Sequence, residues 1–313
     1  MNKISLTLLM MLYINPVLSG IDEGREAFSE GNFDKAASEF RVSAEKGNPE
    51  AQFLLGLMYT LDTWKKNDVE AATWIKKAAE QGVPEAQYQL VSLYSYGKGV
   101  QQDMPKAFNW LNAAATQGHI KSQLQLGHWY AAGIAPQSYD NAELWFRKAA
   151  EQGDSESQYE LGVILAAFKK YGEAAEWFLL SAKQGHTDAA LQYALLLEDG
   201  KGVIQDTKLA NEVFNQVTSN EKVKGEAFFQ LGTKYVIDGF GVPQDYVVST
   251  KWYRKAAELG HSSSQFILGK SYLEGHGVRQ NKSEAKKWFG LNCDNGDQRG
   301  CDEYRTLNEQ GIK

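Results

Sequence analysis

The chain of 313 residues contains two cysteines, Cys293 and Cys301, which lie eight residues apart near its C-terminus. Two thiolates without a matching histidine or cysteine pair do not complete a tetrahedral zinc site. The spacing also lacks the Cys-x-x-Cys arrangement of redox motifs. A structural disulfide remains, and it requires an oxidising compartment and a fold that brings the two residues together.

Five histidines are the other residues that could bind a metal or transfer a proton. Three of them, His119, His186 and His261, each follow the glycine that ends a predicted helix, and we interpret them as solvated turn residues. His276 lies inside a glycine-rich loop, whereas His128 lies on a predicted helix face. The sequence has no Gly-x-Ser-x-Gly, His-Glu-x-x-His or Walker motif. We therefore expect no metal site and no cofactor.

The N-terminal segment 1–19 has the parts of a secretory signal peptide. Lys3 supplies the positive charge, an apolar run follows, and small residues precede Gly20. The apolar run is shorter than the roughly 20 residues needed to cross a bilayer, and no cysteine lies near the cleavage point to carry a lipid. We predict cleavage between Ser19 and Gly20 and a periplasmic or secreted protein, without membrane insertion or a lipid anchor.

The charge balance argues against polyanionic partners. The formal net charge is −6, and removal of the predicted signal peptide takes away Lys3 and no acid, which gives about −7. Nucleic acids and anionic membranes are bound through clusters of Lys and Arg, and this chain has no such cluster. We expect no nucleic-acid partner. Hydrophobic residues make up 43% of the chain, which is enough for a folded core.

Short segments recur along the chain at a nearly constant spacing. Lys-Ala-Ala-Glu-Gln-Gly occurs at 77–82 and again at 148–153, and Lys-Ala-Ala-Glu-Leu-Gly occurs at 255–260. Because a period of 32 to 38 residues with helical spacing is typical of stacked helix pairs, we predict an all-α solenoid. The other recurring segments open on a small residue in most copies, continue to Leu-Gly and Tyr in the regular copies, and start at 51, 86, 122, 157, 189, 227 and 264, with the next unit at 301.

Each repeat divides into two predicted helices, which we name helix A and helix B. In helix A a small residue, Leu and Tyr fall at i, i+4 and i+8, and a Gly at i+5 leaves room for a close neighbour. A Gly-x-Gly-Val loop joins A to B in four repeats, and its glycines are expected to end helices rather than to bind phosphate. Helix B carries tryptophans that we expect to pack between helices, namely Trp74, Trp110, Trp145, Trp177, Trp252 and Trp288.

The pattern Ala-x3-Leu-Gly-x2-Tyr, Gly-x-Gly-Val, Ala-x2-Trp, Lys-Ala-Ala-Glu-x-Gly resembles the Sel1-like repeat family. The first unit at 23–47 and the fifth at 161–178 look like tetratricopeptide repeats, and the resemblance covers Ile21 to Gln310. It implies a right-handed α-solenoid of about eight antiparallel helix pairs and a C-terminal capping helix. The predicted division is a signal peptide at 1–19, a tetratricopeptide-like repeat at 20–49, seven Sel1-like repeats at 50–299 starting near 50, 85, 121, 156, 188, 226 and 263, and a capping helix at 300–313.

The repeat alignment brings the two cysteines together. Cys293 takes the second small position of the last helix B, and Cys301 takes the small position that opens the next helix. Small residues at both positions in other repeats imply that the helices touch there, so we predict a disulfide that holds the C-terminal end. The spacing is similar to that of secreted cysteine-rich Sel1-like proteins.

The sixth unit departs most from the pattern. Val213 stands where a tryptophan is expected, and the segment 215–225 replaces the usual Lys-Ala-Ala stretch. We predict a local irregularity in curvature at this unit.

A partner is expected on helix A, which solenoids present along their concave side. The third residue of each A segment is aromatic or Leu, which would form an apolar track suited to a peptide or a helix. Acids at the edge of the track, Glu50, Glu85, Glu156, Asp188 and Glu226, would select a basic or polar partner. The alternative is that the track completes packing between adjacent A helices. The predicted binding residues are Phe53, Tyr88, Tyr96, Leu124, His128, Tyr159, Phe229 and Phe266.

The resemblance implies a protein or peptide partner, because Sel1-like relatives serve as adaptors, envelope regulators, host-interaction factors and immunity proteins against antibacterial effectors. Cysteine-rich relatives are also associated with penicillin binding and weak β-lactam hydrolysis, which gives an alternative function. Ser-x-x-Lys occurs at Ser43, Ser95, Ser219 and Ser283, without Ser-Asp-Asn or Lys-Thr-Gly. We attribute these matches to chance and expect a scaffold rather than an enzyme.

Overall fold

The computed structural model describes residues 20–136, 138–217, 221–236 and 244–313. The predicted signal peptide at 1–19 lies outside these residues, as does the Gly-x-Gly-Val loop at 239–242. The chain divides into two compact units, the first ending at Leu126 and the second beginning at Gly127.

The regular structure of the described residues is all helical, with seventeen helices and no strand. The helices are α1 Ile21–Ser29, α2 Phe33–Glu45, α3 Pro49–Met58, α4 Asp68–Glu80, α5 Pro84–Tyr96, α6 Met104–Thr116, α7 Ile120–Ala131, α8 Tyr139–Ala150, α9 Ser155–Ala167, α10 Tyr171–Lys183, α11 Thr187–Asp199, α12 Thr207–Val217, α13 Glu221–Lys234, α14 Tyr246–Glu258, α15 Ser262–Glu274, α16 Lys282–Asp294 and α17 Gln298–Glu309. Within each unit neighbouring helices pack on one another, from α1 on α2 to α5 on α6 in the first and from α8 on α9 to α11 on α12 and from α13 on α14 to α16 on α17 in the second, which confirms the predicted solenoid of eight helix pairs with a capping helix.

The core of the first unit is built from one apolar stripe per helix. Phe40 of α2, Leu55 of α3, Ile75 of α4, Leu90 of α5 and Leu111 of α6 are almost completely buried. Each such side chain stabilises the fold by about 1.5–3 kcal/mol relative to leaving it in water. Because helices this short are marginal alone, their stability comes from packing against neighbouring helices.

In the second unit, the glycine at i+5 of helix A lets an aromatic ring of helix B approach closely. Gly162 of α9 faces Phe178 of α10, and Gly269 of α15 faces Phe289 of α16. A Cβ atom added to these glycines would lie 2.7 Å and 2.6 Å from the ring carbons, which is a steric overlap. The close approach predicted from the repeat is therefore confirmed.

Polar caps and glycines set the ends of the helices in each pair. Asn67 and Asp103 accept backbone N–H groups at the starts of α4 and α6. Gly97 ends α5 in the left-handed region at φ 68°, where a side chain would be strained. Gly99 packs so closely on the carbonyl group of Asp68 that a Cβ atom there would overlap it. The Gly-x-Gly loop is therefore structural.

The recurring tryptophans of helix B pack between helices, as predicted. Trp74, Trp145, Trp252 and Trp288 are buried, and Trp110 and Trp177 are partly buried. Trp288 of α16 packs with Ala257 of α14 and Leu268 of α15. A tryptophan of one helix B thus fills the space beside the preceding helix B and the helix A between them.

A disulfide joins the last two helices, which confirms the predicted staple. Cys293 of α16 and Cys301 of α17 are bonded, and their Cα atoms lie 4.6 Å apart. Helix α17 buries only Gly300 and Leu307. The bond therefore holds a terminal helix that has few core contacts of its own.

The described residues contain no candidate for a membrane span or for a metal site. Among them, no helix is long and apolar enough to cross a bilayer. Within the same ranges, no group of three or more His, Cys, Asp and Glu side chains is placed to hold a metal ion.

Candidate partner-binding surface

The predicted binding residues lie on the A helices, where most take the third position of their repeat segment. We call the face that they form the A-helix surface. The structure gives its members three degrees of exposure, and each unit contains one buried member and at least two half-buried members. The members are Phe53 of α3, Tyr88 and Tyr96 of α5, Leu124 and His128 of α7, Tyr159 of α9, Phe229 of α13 and Phe266 of α15.

The predicted exposed track is wrong at two positions, because Phe53 and Tyr159 are buried, with 5% and 2% of their surface exposed. The ring of His186 stacks on Tyr159 at 4.7 Å between centroids. The Lys234 ammonium also lies 5.0 Å from the centroid of the Tyr159 ring. Both buried side chains belong to the packing of the A helices, which is the alternative that the sequence left open.

Four members of the A-helix surface keep an accessible edge, since Tyr88, Leu124, Phe229 and Phe266 are half-buried. Phe266 is covered in part by Arg299, whose guanidinium carbon lies 4.7 Å from the ring centroid. In the first unit Tyr96, at the C-terminal end of α5, is 74% exposed. Tyr96 of α5 is therefore the most accessible aromatic side chain of the A-helix surface.

His128 is a packing residue rather than a charged contact. Its ring lies edge-on to Phe146 of α8, with 5.1 Å between centroids. Burial lowers the pKa of His128 below its ordinary value, so the imidazole is mostly neutral at pH 7.

The prediction that His119, His186 and His261 are solvated turn residues is wrong. The Nδ1 atom of each accepts the backbone N–H three residues further on, at 3.2 to 3.3 Å. His186 and His261 are thereby the N-caps of α11 and α15. A ring nitrogen that accepts a backbone N–H carries no proton, so the hydrogen bonds assign the proton of the neutral ring to Nε2.

Each capping histidine also contacts the aromatic residue of the preceding helix A. The histidine opens one repeat, and the aromatic residue belongs to the repeat before it. The contact therefore ties neighbouring repeats together on the A-helix surface. The pairs are Tyr88 with His119 at 5.0 Å, Tyr159 with His186 at 4.7 Å and Phe229 with His261 at 4.7 Å between ring centroids.

Two of these histidines bind a carboxylate as well. The Nε2 atom of His186 lies 3.0 Å from Glu156, and that of His261 lies 3.2 Å from Glu226. The hydrogen bond from His186 is the main cause that lowers the pKa of Glu156. For Glu226 the hydrogen bond from Gln230 lowers the pKa most, and His261 adds to it. The sequence held a signal for this arrangement, because Glu156 and Glu226 each stand three residues before the aromatic residue that their histidine contacts.

Most acids expected to face a basic partner are engaged within the chain. Arg25 pairs with Glu50, and the Lys234 ammonium lies 2.6 Å from Asp188. Glu156 and Glu226 are bound by histidines. Of the five predicted acids, only Glu85 makes no ion pair with a residue that the structure describes.

A buried carboxyl group lies next to Tyr159. Burial raises the pKa of Glu160 to about 8, with Glu156 and Asp188 raising it further and Lys234 opposing them. Glu160 is therefore mostly protonated at pH 7. The equivalent position in α5, next to Tyr88, is Gln89, so the sequence analysis had no repeat-wide signal for this residue.

The hydrolase alternative gains no support from Ser95. Its Oγ atom is buried and has no hydrogen-bond partner among the residues that the structure describes. Lys98 instead lies against Tyr96, with its Nζ atom 5.9 Å from the ring centroid. No base is thus placed to activate this hydroxyl. Ser219 lies outside the described residues.

Comparison with protein families agrees with the helix pairs and the side-chain pattern. The Sel1 repeat profile matches residues 84–119, 120–154, 155–186, 187–212, 226–261 and 262–297. A tetratricopeptide repeat profile matches residues 21–86, so the segment from 50, which we predicted as the first Sel1-like repeat, lies within that match. The Sel1 matches cover more than half of the chain, and the chain therefore belongs to the Sel1 repeat family.

A solved structure shows the same fold, and two curated proteins match parts of the sequence. The crystal structure of a Sel1 repeat protein from Oxalobacter formigenes is 27% identical, covers 98% of this chain and 94% of that one, and gives a TM-score of 0.57. A chitin synthase regulator SKT5 of Malassezia restricta is 28% identical over 113 residues, 36% of this chain and 8% of that one. An uncharacterized protein of Haemophilus influenzae is 52% identical over 33 residues, 10% of this chain and 64% of that one. The matches span less than two thirds of either curated relative.

Proposed function

We propose that this chain is a periplasmic or secreted interaction scaffold that binds a partner protein through the A-helix surface of its first unit. Membership of the Sel1 repeat family supports the scaffold class. The disulfide between Cys293 and Cys301 supports an oxidising compartment. Accessible aromatic side chains and an unpaired acid on α5 support the location of the site.

The aromatic side chains of α5 are held in place yet accessible. Tyr88 is half-buried and rests against the ring of His119. Burial raises the pKa of the Tyr88 hydroxyl, so the group stays protonated and can donate or accept a hydrogen bond. Tyr96 is 74% exposed near the end of the same helix. Such rings combine apolar contact area with a polar tip and are common anchors at protein interfaces.

The observation that carries the proposal is the combination of Tyr88 with Glu85. Both lie in α5, three residues apart, and are therefore neighbours on the helix surface. Glu85 makes no ion pair with any described residue, whereas its counterparts Glu156 and Glu226 are bound by histidines. A partner helix or peptide with an apolar anchor next to Lys or Arg fits this arrangement.

Capture of the partner tests the proposal. The mature chain from Gly20 would be the bait for envelope and secreted fractions, in parallel with a variant that carries Tyr88→Ala and Tyr96→Ala. A matched control would carry Val42→Ala and Val69→Ala, which remove exposed apolar side chains from the B helices α2 and α4 of the same unit.

We expect a partner that is retained by the native and control baits and lost by the Tyr88→Ala, Tyr96→Ala bait. Its identity then decides between the roles of adaptor, envelope regulator, host-interaction factor and immunity protein. Equal recovery by all three baits would contradict the proposed location. N-terminal sequencing of the protein from its natural host tests the compartment, with Gly20 as the expected first residue.

A further inference from the structure

Val213 of α12 takes a position that a tryptophan fills elsewhere. Val213 and Trp288 each lie 24 residues after the start of an A segment, at 189 and 264. Buried phenylalanines, Phe214 and Phe289, follow them, which confirms the alignment. The Sel1 repeat match also ends at residue 212 and resumes at 226, so the departure from the family begins at Val213.

The missing indole leaves an open space. In the last repeat Trp288 packs with Ala257 and Leu268 in a closed cluster. The residues at those two positions in the sixth unit are Ala182 of α10 and Tyr193 of α11. Together with Val213 they line a cleft of about 510 Å³. The residues that surround the Trp288 indole in the last repeat therefore have counterparts in the sixth unit that line an open cleft.

The rim of this cleft lacks the glutamates that three other repeats carry at each of two positions. Leu209, which is 38% exposed, stands four residues before Val213, where the matching residues before Trp74, Trp177 and Trp288 are glutamates. Lys183 follows Ala182 and replaces a glutamate, since the matching residues are Glu80, Glu151 and Glu258 in three other units. Of the residues that the structure describes, those lining the cleft include Lys183 and His186 and no carboxylate.

We propose that this cleft, which we call the Val213 cleft, binds an aromatic side chain of a partner protein, best a tryptophan, with an acidic residue beside it. The preference for an indole follows from a precedent within the chain, because the indole of Trp288 occupies the matching space in the last repeat. The acidic neighbour follows from Lys183 at the rim and from the absence of a carboxylate in the lining.

A second copy of the chain also carries exposed aromatic residues next to acids, because Tyr246 follows Asp245 and Tyr304 follows Glu303. Both acids are engaged within the chain, since Asp245 caps α14 and Glu303 pairs with Lys270. A partner protein with an uncommitted acid beside its ring therefore suits Lys183 better. The inference goes beyond the proposed function, because the Val213 cleft lies on other helices than Tyr88 and Glu85. It is tested with a defined peptide, so its failure leaves the partner capture unaffected.

The probe is the peptide acetyl-Asp-Trp-Glu-amide, titrated into the mature chain with ¹³C-labelled Ala and Val methyl groups. We expect the methyl signals of Val213 and Ala182 to shift with a dissociation constant of about 1 mM, which is typical of a single anchored side chain. Acetyl-Asp-Ala-Glu-amide lacks the ring and should leave both signals in place. Acetyl-Lys-Trp-Lys-amide should bind about fivefold more weakly.

Two variants test the site itself. Val213→Trp should fill the cleft and weaken binding of the probe by at least about tenfold, read from the Ala182 methyl. Lys183→Glu introduces the residue of the other repeats at an exposed position and should reverse the preference between the two tryptophan peptides. Because Lys183 is exposed, this second variant keeps the test informative if Val213→Trp does not fold. Val247→Trp adds an indole at an exposed position of α14 and should bind like the native chain.

Three results would overturn the proposal. The first is no shift of either methyl signal at about 10 mM probe, ten times the expected dissociation constant. The second is unchanged binding by Val213→Trp. The third is a shift of the same signals with protein concentration alone, since this would make a second copy the occupant. Thermal melting of each variant provides the folding control.

Discussion

Tyr88 and Tyr159 occupy the same position of their repeats, and each lies against a histidine that caps the next helix A, yet one is accessible and the other is sealed. Tyr88 keeps an exposed edge, whereas Tyr159 is 2% exposed. The ring of His186 stacks on Tyr159 and Lys234 lies over it. The repeat pattern therefore decides where a side chain is placed, and the polar residues of neighbouring repeats decide whether it stays accessible.

The acids beside the two rings differ in the same way. Glu156 is bound by His186, whereas Glu85 makes no ion pair with a described residue. The residue after the ring is a buried carboxyl in one repeat, Glu160, and an amide in the other, Gln89. The repeat around Tyr159 thus uses this position for packing, whereas the repeat around Tyr88 leaves it accessible to a partner.

The largest effect should come from truncating the sealed ring. Tyr159→Ala should lower the free energy of unfolding by about 3–5 kcal/mol, because it removes a buried aromatic side chain. Tyr88→Ala should cost about 1 kcal/mol, since a half-buried ring loses fewer contacts. Urea unfolding followed by circular dichroism measures both. Equal losses in the two variants would show that the two rings are packed alike and would break the comparison.

Glu160 should make the second unit sensitive to alkaline pH. Its pKa is raised from 4.5 to about 8 in the folded state, so the folded chain holds a proton that the unfolded chain releases in that range. This contribution is fully present below pH 4.5 and is lost as the pH rises through 8. Glu160→Gln should therefore gain about 4 kcal/mol over the native chain between pH 5 and pH 9.

Urea unfolding of the native and Glu160→Gln chains at pH 5 and pH 9 measures this difference. Titration of the groups that both chains share cancels when the two are compared. Gln89→Glu is the matched variant in the first unit. Because Gln89 is only half-buried, we expect a smaller pH effect there. A constant difference between native and Glu160→Gln chains at both pH values would mean that Glu160 is ionised in the folded state.

Loss of the disulfide should loosen the C-terminal end alone. A Cys293→Ala, Cys301→Ala variant should lose about 2–3 kcal/mol of stability in α16 and α17, by the chain-entropy estimate for a short loop. Hydrogen exchange measured peptide by peptide should show faster exchange in these two helices and unchanged exchange in α5 and α9. Faster exchange throughout the chain would contradict a local role.

The smallest effect should come from the capping histidine beside Tyr88. Burial lowers the pKa of His119, so near and below the ordinary histidine pKa this ring is protonated to a smaller extent in the folded chain than in the unfolded chain. Its contribution is present above about pH 6.5 and is lost as the pH falls. His119→Asn keeps a capping side chain that does not titrate and should flatten the stability loss between pH 7 and pH 5. Thermal melting at the two pH values reads this change.

The sequence predicted those features that depend on residues within one helix pair. The glycine that admits Phe289, the loop glycines and the pairing of Cys293 with Cys301 follow from the period and from side-chain size. The contacts of His186 with Tyr159 and Glu156 were missed, because these two residues lie about 30 residues earlier in another helix. The sealing of Tyr159 by Lys234 involves residues 75 apart, a distance at which the repeat pattern carries no information on contacts.

Photo-crosslinking in the natural host tests the central claim most directly. The chain would carry p-benzoylphenylalanine in place of Tyr96, Tyr88 or, as a control, the 63% exposed Val69 on α4. We predict a discrete crosslinked species from positions 96 and 88 and none from position 69. A crosslinked species from position 69 with none from positions 88 and 96 would contradict a partner on the A-helix surface of the first unit.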